Sequence, residues 1–145
     1  MKGPDIARRR MRAQHLWGPP LATPEEVVRS LAGMQAQEYA FAKWSVAQRA
    51  KGVDDAAMEA AFAEGRILRT HVLRPTWHFV LPEDIRWMLE LTGPRVLARM
   101  ASGYRELGLD ERTLTRSTRA IAKALAGGET MMRSELRAVL EGTRI

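Results

Sequence analysis

The stretch Arg66-Ile-Leu-Arg-Thr-His-Val-Leu-Arg-Pro-Thr-Trp-His-Phe-Val-Leu81 decides the fold of this chain. It is rich in β-branched and aromatic residues in partial alternation, a pattern that is typical of strands. Pro75 interrupts the pattern once, so the stretch predicts two strands joined at Leu73 to Pro75. We therefore expect a small β-hairpin over residues 66–81.

Helical patterns precede this hairpin. The first covers residues 6–17 and ends before two prolines, which cannot continue a helix. The second has the best-marked start, because Thr23 supplies an N-cap hydroxyl, Pro24 occupies the first helical position and Glu26 completes a capping box. Two further helices are predicted, at about residues 40–49 and 54–65.

Helical patterns also follow the hairpin. One begins at Pro82 and runs to Leu91, where Gly93-Pro94 is expected to interrupt it. A further helical stretch follows this interruption and ends near residue 107. Two more helices are predicted, at about residues 110–125 and 133–140. The chain is therefore predicted to be mainly α with a small β-hairpin, a winged helix-turn-helix at the start of a tandem winged-helix array. Residues 1–92 would form the first unit, and residues 93–145 a helical linker and the start of a second, incomplete unit.

Composition favours a polyanionic partner. The 145 residues include 23 Lys and Arg against 17 Asp and Glu, which gives a net charge of +6 and a pI of about 10.5. Such a pI exceeds the value of about 9 that flags nucleic-acid-binding domains. A solvated, Arg-rich surface that reflects coding bias is the open alternative.

Several classes of protein are excluded or disfavoured. The chain has no cysteine, so disulfides, thiolate nucleophiles and cysteine-ligated metals are absent. No apolar run approaches the roughly 20 residues that cross a bilayer, and no signal core follows the basic start. We expect a soluble, unexported cytoplasmic protein with no membrane association. The sequence has no nucleophile elbow, phosphate loop or zinc-protease helix, and its three histidines match no metal motif, so neither cofactor nor metal is predicted.

The tripeptide Gln35-Ala36-Gln37 stands out within this pattern. Gln35 is expected to continue the apolar stripe of the second helix, where a polar amide without partners costs about 1–3 kcal/mol. Residues two apart in a helix point about 200° away from each other. Both amides can therefore address one water only if the helix ends or distorts near Ala36. The alternative is an ordinary solvent-exposed pair of glutamines.

Taken together, these motifs resemble the AlkZ-like family of winged-helix DNA glycosylases, over essentially all 145 residues. Pro75 departs from the family, which commonly has Gly there. The matching pieces are Arg8 to Gly18, Glu26-Val-Val-Arg-Ser-Leu-Ala-Gly-Met-Gln-Ala-Gln-Glu38, Trp44, Arg69-Thr-His-Val-Leu-Arg-Pro-Thr-Trp-His-Phe-Val80, Pro82-Glu-Asp-Ile-Arg-Trp87 and Leu107-Gly-Leu109.

The resemblance implies a function and a site. Gln35 and Gln37 would be the catalytic residues, positioning and polarising a water near the anomeric carbon of a damaged nucleotide. The substrate would be double-stranded DNA with N7-alkylated or interstrand-crosslinked purines. The family's members are much longer than this chain.

Basic side chains on the hairpin and on a nearby helix are candidate phosphate contacts. The candidates are Lys43, Arg66, Arg69 and Arg74. For each of them, a role in surface solubility is the open alternative. The aromatic residues of the same region are assigned to the core, namely Trp44, Trp77, Phe79 and Trp87. The competing interpretations of the chain are a non-enzymatic winged-helix DNA-binding module and a fragment that needs further units. The sequence leaves the oligomeric state open.

Overall fold

The computed structural model describes residues 3–73 and 76–143. They form seven helices and one three-stranded sheet, and the chain divides into two compact units, Met1–Val96 and Leu97–Ile145. The helices and strands are α1 Gly3–Ala13, α2 Pro24–Leu31, β1 Met34–Gln35, α3 Tyr39–Ala47, α4 Asp55–Ala63, β2 Leu68–His71, β3 Trp77–Val80, α5 Ile85–Glu106, α6 Glu111–Ala124 and α7 Arg133–Gly142.

The predicted hairpin is present. Strands β2 and β3 pair antiparallel, with Thr70 opposite His78 and His71 opposite Trp77. A third strand, β1, pairs antiparallel with the other edge of β3, so the strand order is β1-β3-β2. The two-residue β1 was not predicted, because so short a strand has no alternation of its own to detect. The predicted turn residues Arg74 and Pro75 lie outside the described residues.

Helix α2 begins as its sequence predicts. The Thr23 hydroxyl accepts a hydrogen bond from the Glu26 N–H at 3.2 Å, and the Glu26 carboxylate accepts one from the Ala22 N–H at 2.9 Å. The helix ends at Leu31, because Ala32 adopts a positive φ of 59° that turns the chain out of the helix. This end lies before the glutamine motif rather than within it.

The sheet of the first unit separates two apolar clusters. Phe79 on β3 is fully buried and contacts the rings of Tyr39 and Phe62 at centroid distances of 6.1 and 4.9 Å. Met34 and Ala36 pack into the same cluster, together with residues of α2, α3 and α4. Val80 instead packs with Val72 and Met88 in a second, smaller cluster. Burial of these side chains is the main force that holds the strands to the helices.

The predicted interruption at Gly93-Pro94 is wrong, because α5 is continuous from Ile85 to Glu106 with Pro94 inside it. Proline removes one intrahelical hydrogen bond, to the carbonyl four residues earlier. That carbonyl belongs to Glu90, and both Glu90 and Pro94 are exposed, so water can hydrate the freed oxygen. The assignment of residues 1–92 and 93–145 to two winged-helix units stays a prediction.

The second unit contains α6 and α7. The Asp110 carboxylate caps α6 by accepting a hydrogen bond from the Thr113 N–H at 2.7 Å, and the bonds from Thr113 lower the pKa of Asp110. Arg116 on α6 donates to the carbonyl of Thr143 after α7, at 2.9 Å. Within the described residues, no helix is long and apolar enough to span a membrane.

The left-handed turn at Ala32 gives a stability prediction. A positive φ is unfavourable for any residue with a Cβ, by about 1–2 kcal/mol, and the Ala32 side chain is exposed and packs little. Ala32→Gly removes this cost but adds freedom to the unfolded chain. We expect a net gain of about 0.5 kcal/mol in the free energy of unfolding, measured by urea denaturation monitored by circular dichroism.

The matched control is Ala60→Gly, the same substitution in the middle of α4. There glycine is expected to lower the free energy of unfolding by about 1 kcal/mol, because it makes the unfolded chain more flexible and relieves no strain in the helix. A loss of stability in Ala32→Gly of similar size would contradict the strained turn.

Candidate active site

The glutamine motif lies on the edge of the sheet. Met34 is buried, Gln35 exposed, Ala36 buried and Gln37 exposed, which is the alternation of an extended chain. Residues two apart in an extended chain lie on the same face, so both glutamines lie on the exposed side. The prediction that Gln35 continues the buried stripe of the second helix is wrong, because that helix ends at Leu31. The predicted end of the helix near Ala36 is also wrong in position, because the helix ends at Leu31 and the chain is already extended through the motif.

The side chain of Gln37 replaces a backbone group in the sheet. The Ala36 N–H donates to the Trp77 carbonyl at 2.7 Å, as in a regular antiparallel pair. The Trp77 N–H, however, donates to Oε1 of Gln37 at 3.3 Å. Because only an acceptor can face an N–H group, Gln37 keeps its carbonyl oxygen toward β3 and has its NH₂ group left for another partner. The glutamine is thereby oriented by the strand beside it.

Arg69 holds the backbone of the same segment. Its Nε donates to the Ala36 carbonyl at 3.0 Å and its Nη2 to the Gln37 carbonyl at 3.1 Å. The guanidinium lies over the rings of Trp77, at 4.6 Å, and Tyr39, at 5.4 Å. Cation–π contacts and two charge-assisted hydrogen bonds therefore fix one conformation of the motif. Arg69 is a positioning residue here.

Gln35 has a different environment. Its amide forms no hydrogen bond with any of residues 3–73 and 76–143, so both of its polar groups are available to a ligand or water. Across the sheet it lies opposite His78, which in turn lies opposite Thr70. His78 is buried, and its Nδ1 lies 2.9 Å from the Thr76 carbonyl, an acceptor to which it must donate. This bond fixes the orientation of the ring beside Gln35.

Lys43 lies behind the motif and is already paired. Its Nζ is 2.6 Å from Asp55 and 2.5 Å from Glu59, and its side chain is buried. The hydrogen bonds that Lys43 donates to Asp55 and Glu59 raise the pKa of Lys43 above its ordinary value. Burial raises the pKa of Tyr39, and so does the hydrogen bond of its hydroxyl to Glu59. This network anchors α3, which follows the motif directly, to α4.

The other predicted phosphate contacts are dispersed. Arg66 pairs with Glu25 and with Glu64, the latter at 2.7 Å. Arg74 lies outside the described residues. The structure thus brings Arg69 to the glutamines but engages it with backbone carbonyls, and it engages Lys43 and Arg66 with carboxylates. Among the described residues, no group of three or more His, Cys, Asp or Glu side chains could hold a metal ion.

A family model described as AlkZ-like DNA glycosylase matches residues 28–143, from α2 through α7. The chain belongs to the AlkZ-like DNA glycosylase family. The glutamine motif, the hairpin and the positioning arginine all lie within the matched residues, whereas α1 precedes them.

A solved AlkZ structure is similar to the chain as well. The Streptomyces sahachiroi DNA glycosylase AlkZ superposes with a TM-score of 0.77 at 27% sequence identity. The match covers 92% of this chain and 36% of that protein, so the chain spans 36% of the length of this relative. It confirms the predicted mainly α fold class and is consistent with a winged helix. A comparison with curated protein sequences gives no match.

Sequence reasoning missed the role of Arg69 in this candidate site and the exposure of two tryptophans. Arg69 was predicted to contact phosphate, and its hold on the motif has no local signal because the partners are 32 and 33 residues away. Trp44 and Trp87 were assigned to the core, and this is wrong: they are 63% and 46% exposed. Trp44 lies on the outer side of α3, and Trp87 is instead held by a hydrogen bond to Asp84 at 2.7 Å.

The grip of Arg69 on the motif can be tested by amide hydrogen exchange. Arg69→Ala removes two hydrogen bonds from a charged donor, each of which contributes about 1.5–3 kcal/mol. We expect the Ala36 and Trp77 N–H groups to exchange at least about tenfold faster, since a loss of 1.4 kcal/mol is a factor of ten.

Arg66→Ala is the matched control, because it removes an arginine near the start of β2 that contacts no residue of the motif. Exchange at Ala36 and Trp77 should stay within about twofold of the wild type there, as the motif's hydrogen bonds are intact. Equal acceleration in both variants would show that Arg69 stabilises the unit generally and does not hold the motif.

Proposed function

We propose that a protein containing this chain hydrolyses the N-glycosidic bond of N7-alkylated or interstrand-crosslinked purines in double-stranded DNA, with Gln35 and Gln37 positioning the water. Residues 1–92 would supply the first winged-helix unit and residues 93–145 the start of a second. Membership of the AlkZ-like family supports the reaction class. The single observation that carries the proposal is the exposed pair of amides on one side of an extended segment.

The two glutamines have separate roles in this proposal. Gln37 is held by the Trp77 N–H through its carbonyl oxygen, and in this proposal its Nε2 donates a hydrogen bond to the water. Gln35 has both groups available, so its carbonyl oxygen accepts a hydrogen bond from the same water. A water held by one donor and one acceptor has a fixed orientation, with a lone pair left for attack.

The chemistry suits neutral amides. The glycosidic C1′–N9 bond breaks, and its electron pair moves to the purine, which loses the positive charge that N7-alkylation gave it. The oxygen of the water forms a new bond to C1′, and its proton passes to solvent. An amide is a poor general base, so the site suits a leaving group that departs without protonation. A cationic purine is such a leaving group.

DNA is the partner that this function requires, and the net charge of +6 is compatible with it. We do not place Lys43 or Arg69 among the phosphate contacts, because their donors are engaged by carboxylates and by backbone carbonyls. Arg66 is also paired, with Glu25 and Glu64, so it could contact a phosphate only by exchanging these carboxylates for it.

A DNA-binding module without catalysis is the second candidate. The exposure of both glutamines favours a binding module as much as a glycosylase, because exposed amides can also contact DNA bases or backbone without breaking a bond. Release of a base separates the two functions.

The experiment is a single-turnover assay on a duplex with one N7-methylguanine, measuring freed base and abasic sites. It uses the 145-residue chain and any longer natural protein that contains it. Gln35→Ala is the sharpest variant, since its amide contacts no described residue. We expect its rate of release to fall about 100-fold, the order of contribution of a positioned catalytic group, with an unchanged melting temperature.

Gln48→Ala is the matched control, because Gln48 is an exposed glutamine at the end of α3. It should release base at the wild-type rate. Gln37→Ala should lower both the rate and the melting temperature, because it also frees the Trp77 N–H. Binding to the lesion without release in the longest protein, or release that both glutamine variants leave unchanged, would overturn the proposal.

A further inference from the structure

Helix α1 carries a concentrated and unneutralised positive charge. Its four arginines are exposed, and Asp5 is the acid on the helix. None of them forms an ion pair with any of residues 3–73 and 76–143, whereas Arg29, Arg66 and Arg137 are each paired with a carboxylate. The four are Arg8, Arg9, Arg10 and Arg12.

The chain folds back at the end of α1 and places an aromatic ring against this charge. His15 has a positive φ of 53°, the Leu16 N–H donates to the Met11 carbonyl at 2.9 Å, and the His15 N–H donates to the Arg12 carbonyl at 2.9 Å. This pair of bonds is the Schellman motif, which reverses the chain after a helix. The reversal brings Trp17 back against the helix that it follows.

Two guanidiniums converge on that ring. The Cζ atoms of Arg8 and Arg12, one helical turn apart, lie 5.6 and 5.4 Å from the centroid of Trp17, which is 47% exposed. Arg8, Arg12 and Trp17 line one shallow depression together with Asp5 and Arg9. Three arginines and one acid give this depression an excess of two positive charges.

The physical consequence is a prepared binding surface for an anion. Contact with the ring restricts both guanidiniums, which reduces the entropy that they lose when a ligand binds. Each keeps planar N–H donors in the geometry that suits a phosphate. Two like charges held over one ring repel each other, so an anion bound between them relieves an unfavourable interaction.

We propose that this surface, defined by Arg8, Arg12 and Trp17 and called here the Arg–Trp surface, binds phosphates of the DNA backbone. The inference rests on the proposed function only in taking DNA as the partner. It concerns a part of the chain that precedes the match to the family model, and it involves neither glutamine.

The test measures binding of a fluorescein-labelled, undamaged duplex by anisotropy over a series of salt concentrations. Each phosphate contact contributes about 0.9 to the slope of log K against log salt concentration. We expect Arg12→Ala to reduce this slope by about 0.9, and the double variant Arg8→Ala/Arg12→Ala to reduce it by about 1.8. The Lys variants at both positions should restore the slope, because they keep the charge.

Arg10→Ala is the matched control, since it removes the same charge from the same exposed helix but from a residue that does not line the depression. Its slope should change by less than about 0.3, a third of one phosphate contact. Trp17→Ala should weaken binding severalfold without changing the slope, because it releases the guanidiniums and removes no charge. Circular dichroism verifies that α1 remains helical in every variant.

The outcomes separate this inference from the proposed function. Equal slope changes in Arg10→Ala and Arg12→Ala would overturn the inference, because diffuse charge would then account for binding. Salt-independent or absent DNA binding by the wild type would overturn it as well and would favour an acidic protein partner. A slope that is reduced in Arg12→Ala but not in Arg10→Ala supports phosphate binding by the Arg–Trp surface, even if no base is released. Base release that depends on Gln35, with a normal slope in Arg12→Ala, would overturn it and leave the glycosylase proposal intact.

Discussion

The hydrogen bond from the Ala36 N–H to the Trp77 carbonyl is the interaction on which the site depends. It is the last regular rung between β1 and β3, and it holds an edge strand of two residues. The reciprocal bond of this residue pair is replaced: the Trp77 N–H donates to the Gln37 side chain, and the Ala36 carbonyl accepts from Arg69. The strand therefore ends because side chains occupy its backbone groups. The same contacts leave both glutamine amides on the exposed side.

Local signals predicted the helix starts well. Thr23, Asp54 and Asp110 each cap the helix that follows, through a bond to an N–H three residues later. Such caps are visible in a sequence because both partners lie within one turn. The hairpin was predicted for a similar reason, since its two strands are adjacent in sequence and share a β-rich composition.

The prediction failed where pairing is non-local. Met34 follows Leu31 at helical spacing, so the apolar pattern of α2 continues past its end. Two features override that pattern: the local turn at Ala32, and the pairing of Met34 with Phe79, 45 residues away. Arg69 illustrates the same difficulty, because its charge and place on a hairpin predicted a phosphate contact. In the folded chain, Arg69 instead donates hydrogen bonds to two backbone carbonyls and lies over two aromatic rings.

The exposure of the glutamines has a consequence for the proposed reaction. A hydrogen bond to a water-exposed amide is worth little, because bulk water competes for the same groups. No residue of the described chain hydrogen-bonds the Gln35 amide, so the chain alone holds an attacking water weakly there. In a hydrolase of this kind, the substrate must therefore cover the site and exclude bulk water. Contacts to DNA far from the scissile bond then contribute to the rate as well as to affinity, because they supply the binding energy that positions the substrate over the amides. An unneutralised arginine surface is suited to that role, whereas arginines already paired with carboxylates are not.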